Sequence, residues 1–148
     1  MESTFDALPP KFQHQSFMDA LAVPCPPDDF EGRETEAFRW VFEDMEDERN
    51  FVPQYFKNPR YAQAEDSVRC QALGLSFFVS EEYARERFLY YYDKLGSRAN
   101  HILGNHLAKG MLKPSDGVSN REDFGGHFTF HPFEKTRFEK TFAIFATL

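Results

Sequence analysis

Leu73-Gly74-Leu75-Ser76-Phe77-Phe78-Val79-Ser80-Glu81-Glu82 carries the clearest structural signal in the chain, a strand handing over to a capped helix. From Ala72 to Val79, the apolar residues Leu73, Leu75, Phe77 and Val79 share one face, because strand side chains alternate with a period of two. Ala72, Gly74, Ser76 and Phe78 share the other, and the small residues among them let a second element approach closely. Both faces are expected to be covered, as in a central strand. Ser80 then offers a hydroxyl as N-cap, and Glu81 and Glu82 lie in the first turn, where negative charge suits the helix dipole. Ala84, Phe88, Tyr91 and Leu95 recur at helical spacing, and Gly96 supplies the stop.

Outward from this unit the signals weaken. Upstream, Phe38, Val41, Phe42 and Met45 follow the three-and-four spacing of a helix face. The segment from about Glu34 to Glu48 is therefore expected to be an amphipathic helix with an acidic outer face. Further back, His14 to Val23 predicts a short helix ending before the proline-rich Pro24-Cys25-Pro26-Pro27, and residues 1 to 13 read as a flexible tail. Downstream, a helix is expected from Arg98 or Ala99 to Lys109, then a long polar loop over Lys113 to Gly126. A strand from His127 to His131 and a closing strand from Glu139 to Thr147 follow, paired as a hairpin.

These elements predict an α+β fold. A small antiparallel sheet of about three strands, from the Leu73, His127 and Glu139 segments, packs against three or more helices near Glu34, Ser80 and Arg98. The chain is expected to form one domain over residues 1 to 148, a length sufficient for its own core. Phenylalanine occurs 18 times and aromatics make up 17% of the sequence, so the core should be built from phenyl rings.

Charge and targeting narrow the function. The net charge is −7, and Asp28 to Arg49 holds ten acids against three arginines, which is also −7. Such a chain is not suited to sequence-independent nucleic-acid binding or to docking on anionic lipid. It has no apolar run of spanning length, and Met1-Glu2-Ser3-Thr4 begins neither a signal peptide nor a myristoylation motif, so a cytoplasmic location is expected. Cys25 and Cys70, far apart and in unlike settings, are expected to be reduced thiols.

Two functional readings follow. The first is a non-enzymatic interaction or regulatory protein, of the inhibitor or immunity kind, in which Glu36, Glu43, Asp44, Glu46 and Asp47 of the acidic helix receive a basic protein partner. The second rests on Gly125-Gly126-His127-Phe128-Thr129-Phe130-His131, where His127, Thr129 and His131 would share a strand face. His127 and Thr129 could hold a phosphoryl or carbonyl oxygen between imidazole and hydroxyl. The pattern resembles the His-x-Thr/Ser signature of the two-histidine phosphoesterases, with His14-Gln15-Ser16 as a second match. The resemblance implies a cytosolic enzyme acting on RNA ends or nucleotides, one histidine serving as base and the other as acid.

No cofactor or metal is expected. His127 and His131 are about 13 Å apart along a strand, and His101 and His106 diverge by roughly 140° on a helix. The cysteines form no Cys-x-x-Cys motif. Arg121, Glu122 and Asp123 in the long loop are solvated charges that could reach a substrate or partner.

Overall fold

A computed structural model describes residues 9 to 148. The chain forms one six-stranded antiparallel sheet in the order β4-β5-β2-β1-β3-β6. Its strands are β1 (Thr35–Val41), β2 (Leu75–Phe78), β3 (His106–Leu112), β4 (Gly117–Ser119), β5 (His127–Pro132) and β6 (Phe142–Thr147). The helices among the described residues are α1 (Gln15–Asp19), α2 (Gln54–Lys57), α3 (Asp66–Ala72), α4 (Glu81–Leu95), α5 (Arg98–Ile102) and α6 (Phe138–Thr141). Two short 3-10 turns, Glu48–Phe51 and Pro59–Gln63, flank α2.

The core follows from the alternation along the strands. Leu75 and Phe77 of β2 join Ala37, Val41, Ala108, Leu112, Phe128, Phe130, Phe138 and Phe142 on one face. On the other, Phe38, Phe78 and Leu107 pack with Ala84 of α4. Phe77 is wholly buried, with the rings of Phe128, Phe130 and Phe138 each 5.9 Å away and Phe142 at 5.5 Å. The phenylalanine-rich core and the α+β class agree with the composition.

The small three-strand sheet does not. Three segments expected as helix or loop supply the extra strands. Thr35 to Val41, read as part of an acidic helix, is a strand paired with β3 at seven positions, from Thr35↔Leu112 to Val41↔His106. Phe38 and Val41, which helical spacing puts together, lie on opposite sheet faces. A short apolar run fits either period, and pairing with β3 decides between them. The helix expected to reach Lys109 stops at Ile102, and Gly104, at φ 83°, turns the chain into β3. Inside the expected loop, Gly117–Ser119 forms edge strand β4 against β5.

Two further expectations shift. Strand β2 begins at Leu75, because Ala72 closes α3 and Leu73 caps it. The β5–β6 hairpin is absent: β5 lies between β4 and β2, whereas β6 follows α6 and pairs with β3 at the far edge. The Leu73 segment, expected in the same sheet without a stated neighbour, pairs with the His127 segment as Leu75↔Phe130 through Phe78↔His127.

Helix α4 is as read from sequence. Ser80 Oγ accepts from the Tyr83 N–H at 3.2 Å, Ala84 and Phe88 are buried, and Gly96 ends the helix at φ 63°. The residue-1-to-13 tail lies outside the described residues as far as residue 8. Its described end is held, since the Gln13 N–H donates to the Pro132 carbonyl at 3.0 Å and Phe12 bridges to Phe133. Cys25 and Cys70 are joined in a disulfide, which corrects the expectation of reduced thiols. Folding brings the proline-rich stretch against α3, so sequence distance was no guide. Disulfides persist in oxidising compartments, so this bond lends no support to the expected cytoplasmic location. No helix among the described residues is long and apolar enough to cross a membrane.

Candidate functional site

Strands β1 and β2 pair only at Phe38↔Phe78 and splay apart beyond it. The Arg39 guanidinium occupies the gap, donating from Nη1 to the Ser76 carbonyl at 2.6 Å and from Nε to the Asn50 carbonyl at 2.8 Å. Beside it opens a cavity of about 530 Å³. Its floor is the face of β2 and β5 that carries Gly74, Ser76, Phe78, His127 and Thr129. Helix α4 supplies Arg87, Tyr91 and Leu95, and the segment from Arg49 to Tyr61 closes the opposite side.

The charge of this cavity opposes that of the chain. Among the described residues, Arg39, Arg49, Lys57, Arg60 and Arg87 line it against the single carboxylate of Asp123. Burial lowers Arg39 to about 10, leaving it charged at neutral pH. Lys57 is exposed as a residue, yet burial of its ammonium, followed by the charges of Arg39 and Arg49, lowers it to about 8. The charges of Arg39 and Arg49 disfavour a further cation at Lys57, and a bound anion would relieve that repulsion.

A hydroxyl and an imidazole meet on the floor. His127 Nε2 lies 2.9 Å from Ser76 Oγ, a diagonal contact between paired strands, since Ser76 is opposite Thr129 and His127 opposite Phe78. Asp123 Oδ1 accepts from the Gly125 and His127 N–H groups at 2.9 and 3.0 Å, and Oδ2 approaches His127 Nδ1 at 3.8 Å. The carboxylate favours the tautomer with hydrogen on Nδ1, which leaves Nε2 to accept the Ser76 hydroxyl. Burial lowers the His127 pKa, Asp123 opposes that shift, and Arg87 and Arg39 add to it, so the imidazole is neutral at neutral pH. Gly126 permits this geometry: at φ 72° its Cβ position would fall 2.3 Å from the Tyr83 ring, so only glycine brings β5 in beneath α4.

The residues singled out in the sequence divide. His127 and Thr129 line the cavity together, as strand spacing predicts. The chemically apt hydroxyl is Ser76, because Thr129 is buried with its methyl against Gly74, whose added Cβ would lie 2.6 Å from Thr129 Cγ2. His131 is buried away from the cavity lining, between Phe12 and Phe30. Burial, then the charge of His14, lowers its pKa to about 4. His14, the second histidine of the His-x-Thr/Ser pair, packs at a tilt against Phe56 with ring centroids 4.8 Å apart and does not line the cavity. The paired-histidine arrangement implied by the phosphoesterase resemblance is therefore not formed.

The acidic residues have no common helix face. Glu36 lies on β1, opposite Met111 of β3. Glu43, Asp44 and Glu46 are exposed in the turn after β1. Asp47 caps the Glu48–Phe51 turn, and the hydrogen bonds it accepts from Arg49 lower its pKa to about 2.

Sequence reading did not assign Ser76, Arg39, Lys57 or Arg87 to a site. One signal was available: small residues along one face of a strand leave room for a cavity as readily as for a packed element. Comparison with known protein families, with curated proteins and with solved structures found no match.

Proposed function

We propose that the chain is a hydrolase of small phosphoesters carrying a planar group, such as a nucleotide. The observation that carries this reading is the 2.9 Å contact of Ser76 Oγ with His127 Nε2 inside a cavity lined by cations. In the proposed reaction His127 takes the Ser76 hydroxyl proton as Oγ attacks phosphorus, and then returns it to the leaving oxygen. Water, activated by the same imidazole, cleaves the phosphoseryl intermediate. Arg39 and Arg87 line the same cavity and would balance charge on phosphoryl oxygens. Trp40, Tyr61, Phe78 and Tyr91 line the cavity and offer rings for a base.

A fluorophosphonate tests the nucleophile without knowledge of the substrate. Oγ displaces fluoride, and peptide mass mapping should place the adduct on Ser76. His127→Ala should slow labelling, and turnover of thymidine 5′-p-nitrophenyl phosphate, by roughly 100-fold or more. Because burial lowers His127, the rate should rise through a pKa below 6.5 and be level at neutral pH. Labelling elsewhere, or at an equal rate without His127, removes the reading.

A second reading is supported by the exposure of Glu43, Asp44 and Glu46, a compact acidic turn open to a basic protein partner. Reversing these three to Lys should slow association with such a partner by about 10-fold or more at low salt, with little change in Tm. Asp47 is left out because its reversal would break a cap. Unaltered, salt-insensitive association would remove this reading.

A further inference from the structure

Cys25, Cys70 and His131 come from three separate elements, the proline-rich stretch, α3 and β5. Their two sulfurs and a ring nitrogen lie within 4.8 Å of one another. Cys70 and His131 are buried, and Cys25 is half-buried. A second observation concerns the imidazole alone. Nε2 of His131 is buried with no hydrogen-bond partner among the described residues. Its flanking rings, Phe12 at 6.5 Å and Phe30 at 5.5 Å, offer no hydrogen-bonding group in their side chains. Buried polar atoms rarely go unpaired, because the lost hydration is not regained. The ring is nevertheless closely seated: a Cβ on Gly74 would lie 3.2 Å from His131 Cε1.

We propose that Cys25, Cys70 and His131 form a redox-gated zinc site, closed while the two sulfurs are bonded and able to bind zinc(II) once they are reduced. A dithiol reductant opens the site. Its two sulfurs give up two electrons and end as a disulfide, and their protons pass to Cys25 and Cys70. Zinc(II) then replaces those two thiol protons, which go to solvent, and accepts the imidazole lone pair.

The donors suit the ion. Zinc takes thiolate at about 2.3 Å and imidazole at about 2.0 Å, so donor atoms around a tetrahedral ion are separated by roughly 3.3–3.8 Å. The three donor atoms lie within 4.8 Å of one another, and breaking the S–S bond frees the two sulfurs to separate to that span. Cys70 also borders a hollow of about 260 Å³, which has room for water as the fourth ligand. The site lies outside the Ser76 cavity, since none of its three residues lines that space. The inference therefore stands or falls independently of the hydrolase reading.

The test uses the full chain in two states, oxidised and reduced by a phosphine, with the phosphine removed before metal is added. The reduced chain should bind one equivalent of zinc(II) with release of two protons. Zinc should also slow alkylation of Cys25 and Cys70 by iodoacetamide at least 10-fold. Cobalt(II) in its place should give thiolate charge-transfer absorption, and the oxidised chain should show none of these effects. His131→Gln should weaken zinc binding by roughly 10- to 100-fold while leaving the thiols reducible. As that variant removes a buried ring, the alkylation and cobalt measurements on the unaltered chain carry the test if it fails to fold. The proposal is overturned if the reduced chain binds no zinc, whether or not it remains folded. It is equally overturned if zinc leaves the two thiols unprotected, or if folded His131→Gln binds zinc as tightly as the unaltered chain.

Discussion

Phe77→Ala is expected to destabilise the protein by about 3–5 kcal/mol. The side chain has no solvent exposure and meets the rings of Phe128, Phe130, Phe138 and Phe142, contributed by β5, α6 and β6. Its removal forfeits the transfer energy of the ring and leaves a cavity that strands on both sides cannot collapse to fill. Small domains are stable by only about 5–15 kcal/mol in total, so the loss takes a large share. In a domain of this length it should lower Tm by about 10–15 °C. Phe124→Ala is the control, because Phe124 is fully exposed at 105% of its reference area and should change stability by less than about 0.5 kcal/mol. Urea unfolding of both variants checks the pair, and equal effects would remove the assignment of Phe77 as the centre of the core.

Stability is expected to fall steeply with acid between pH 6.5 and about 4. His131, 1% exposed, has its pKa lowered from 6.5 to about 4, chiefly by burial and then by His14. In the unfolded chain it protonates near 6.5, so from that pH downward the unfolded state binds the proton that the folded state refuses. The stabilisation is present above the unfolded value and is lost as pH falls toward the folded one. The full interval corresponds to roughly 3 kcal/mol. His14 and His127 are shifted the same way by burial and should steepen the loss. Asp47 is depressed to about 2, so its stabilisation is lost only below the ordinary carboxylate range and does not fall in this window. Urea unfolding at pH 7.5 and 4.5 measures the difference, and His131→Leu should remove most of it. A pH-independent midpoint across the window would show that His131 is not held neutral by the fold.

Helix α4 and its strand were legible because their signals are local. A capping hydroxyl, acids in the first turn, an apolar face at helical spacing and a terminal glycine all lie within Ser80 to Gly96 and agree with one another. Strand β5 was legible for a similar reason, with glycine entry and strict alternation. The failures share a cause too. Phe38, Val41, Phe42 and Met45 satisfy helical spacing on paper, yet β3 supplies seven paired positions that a helix would forgo. Without knowledge that His106 to Leu112 was itself a strand, nothing in Thr35 to Val41 could decide.

By itself, then, the sequence determined the phenylalanine-built core, the α+β class, the acidic balance, α4 with its caps, and the shared face of His127 and Thr129. Each depends on composition or on neighbours a few positions apart. Tertiary structure alone decided the six-strand order, the cationic cavity within an acidic chain, the meeting of Ser76 with His127 across 51 positions, and that of Cys25 with Cys70 across 45. A contact over such distances is set by which strands pair and which face each helix covers, and those choices minimise the free energy of the whole chain rather than of any segment.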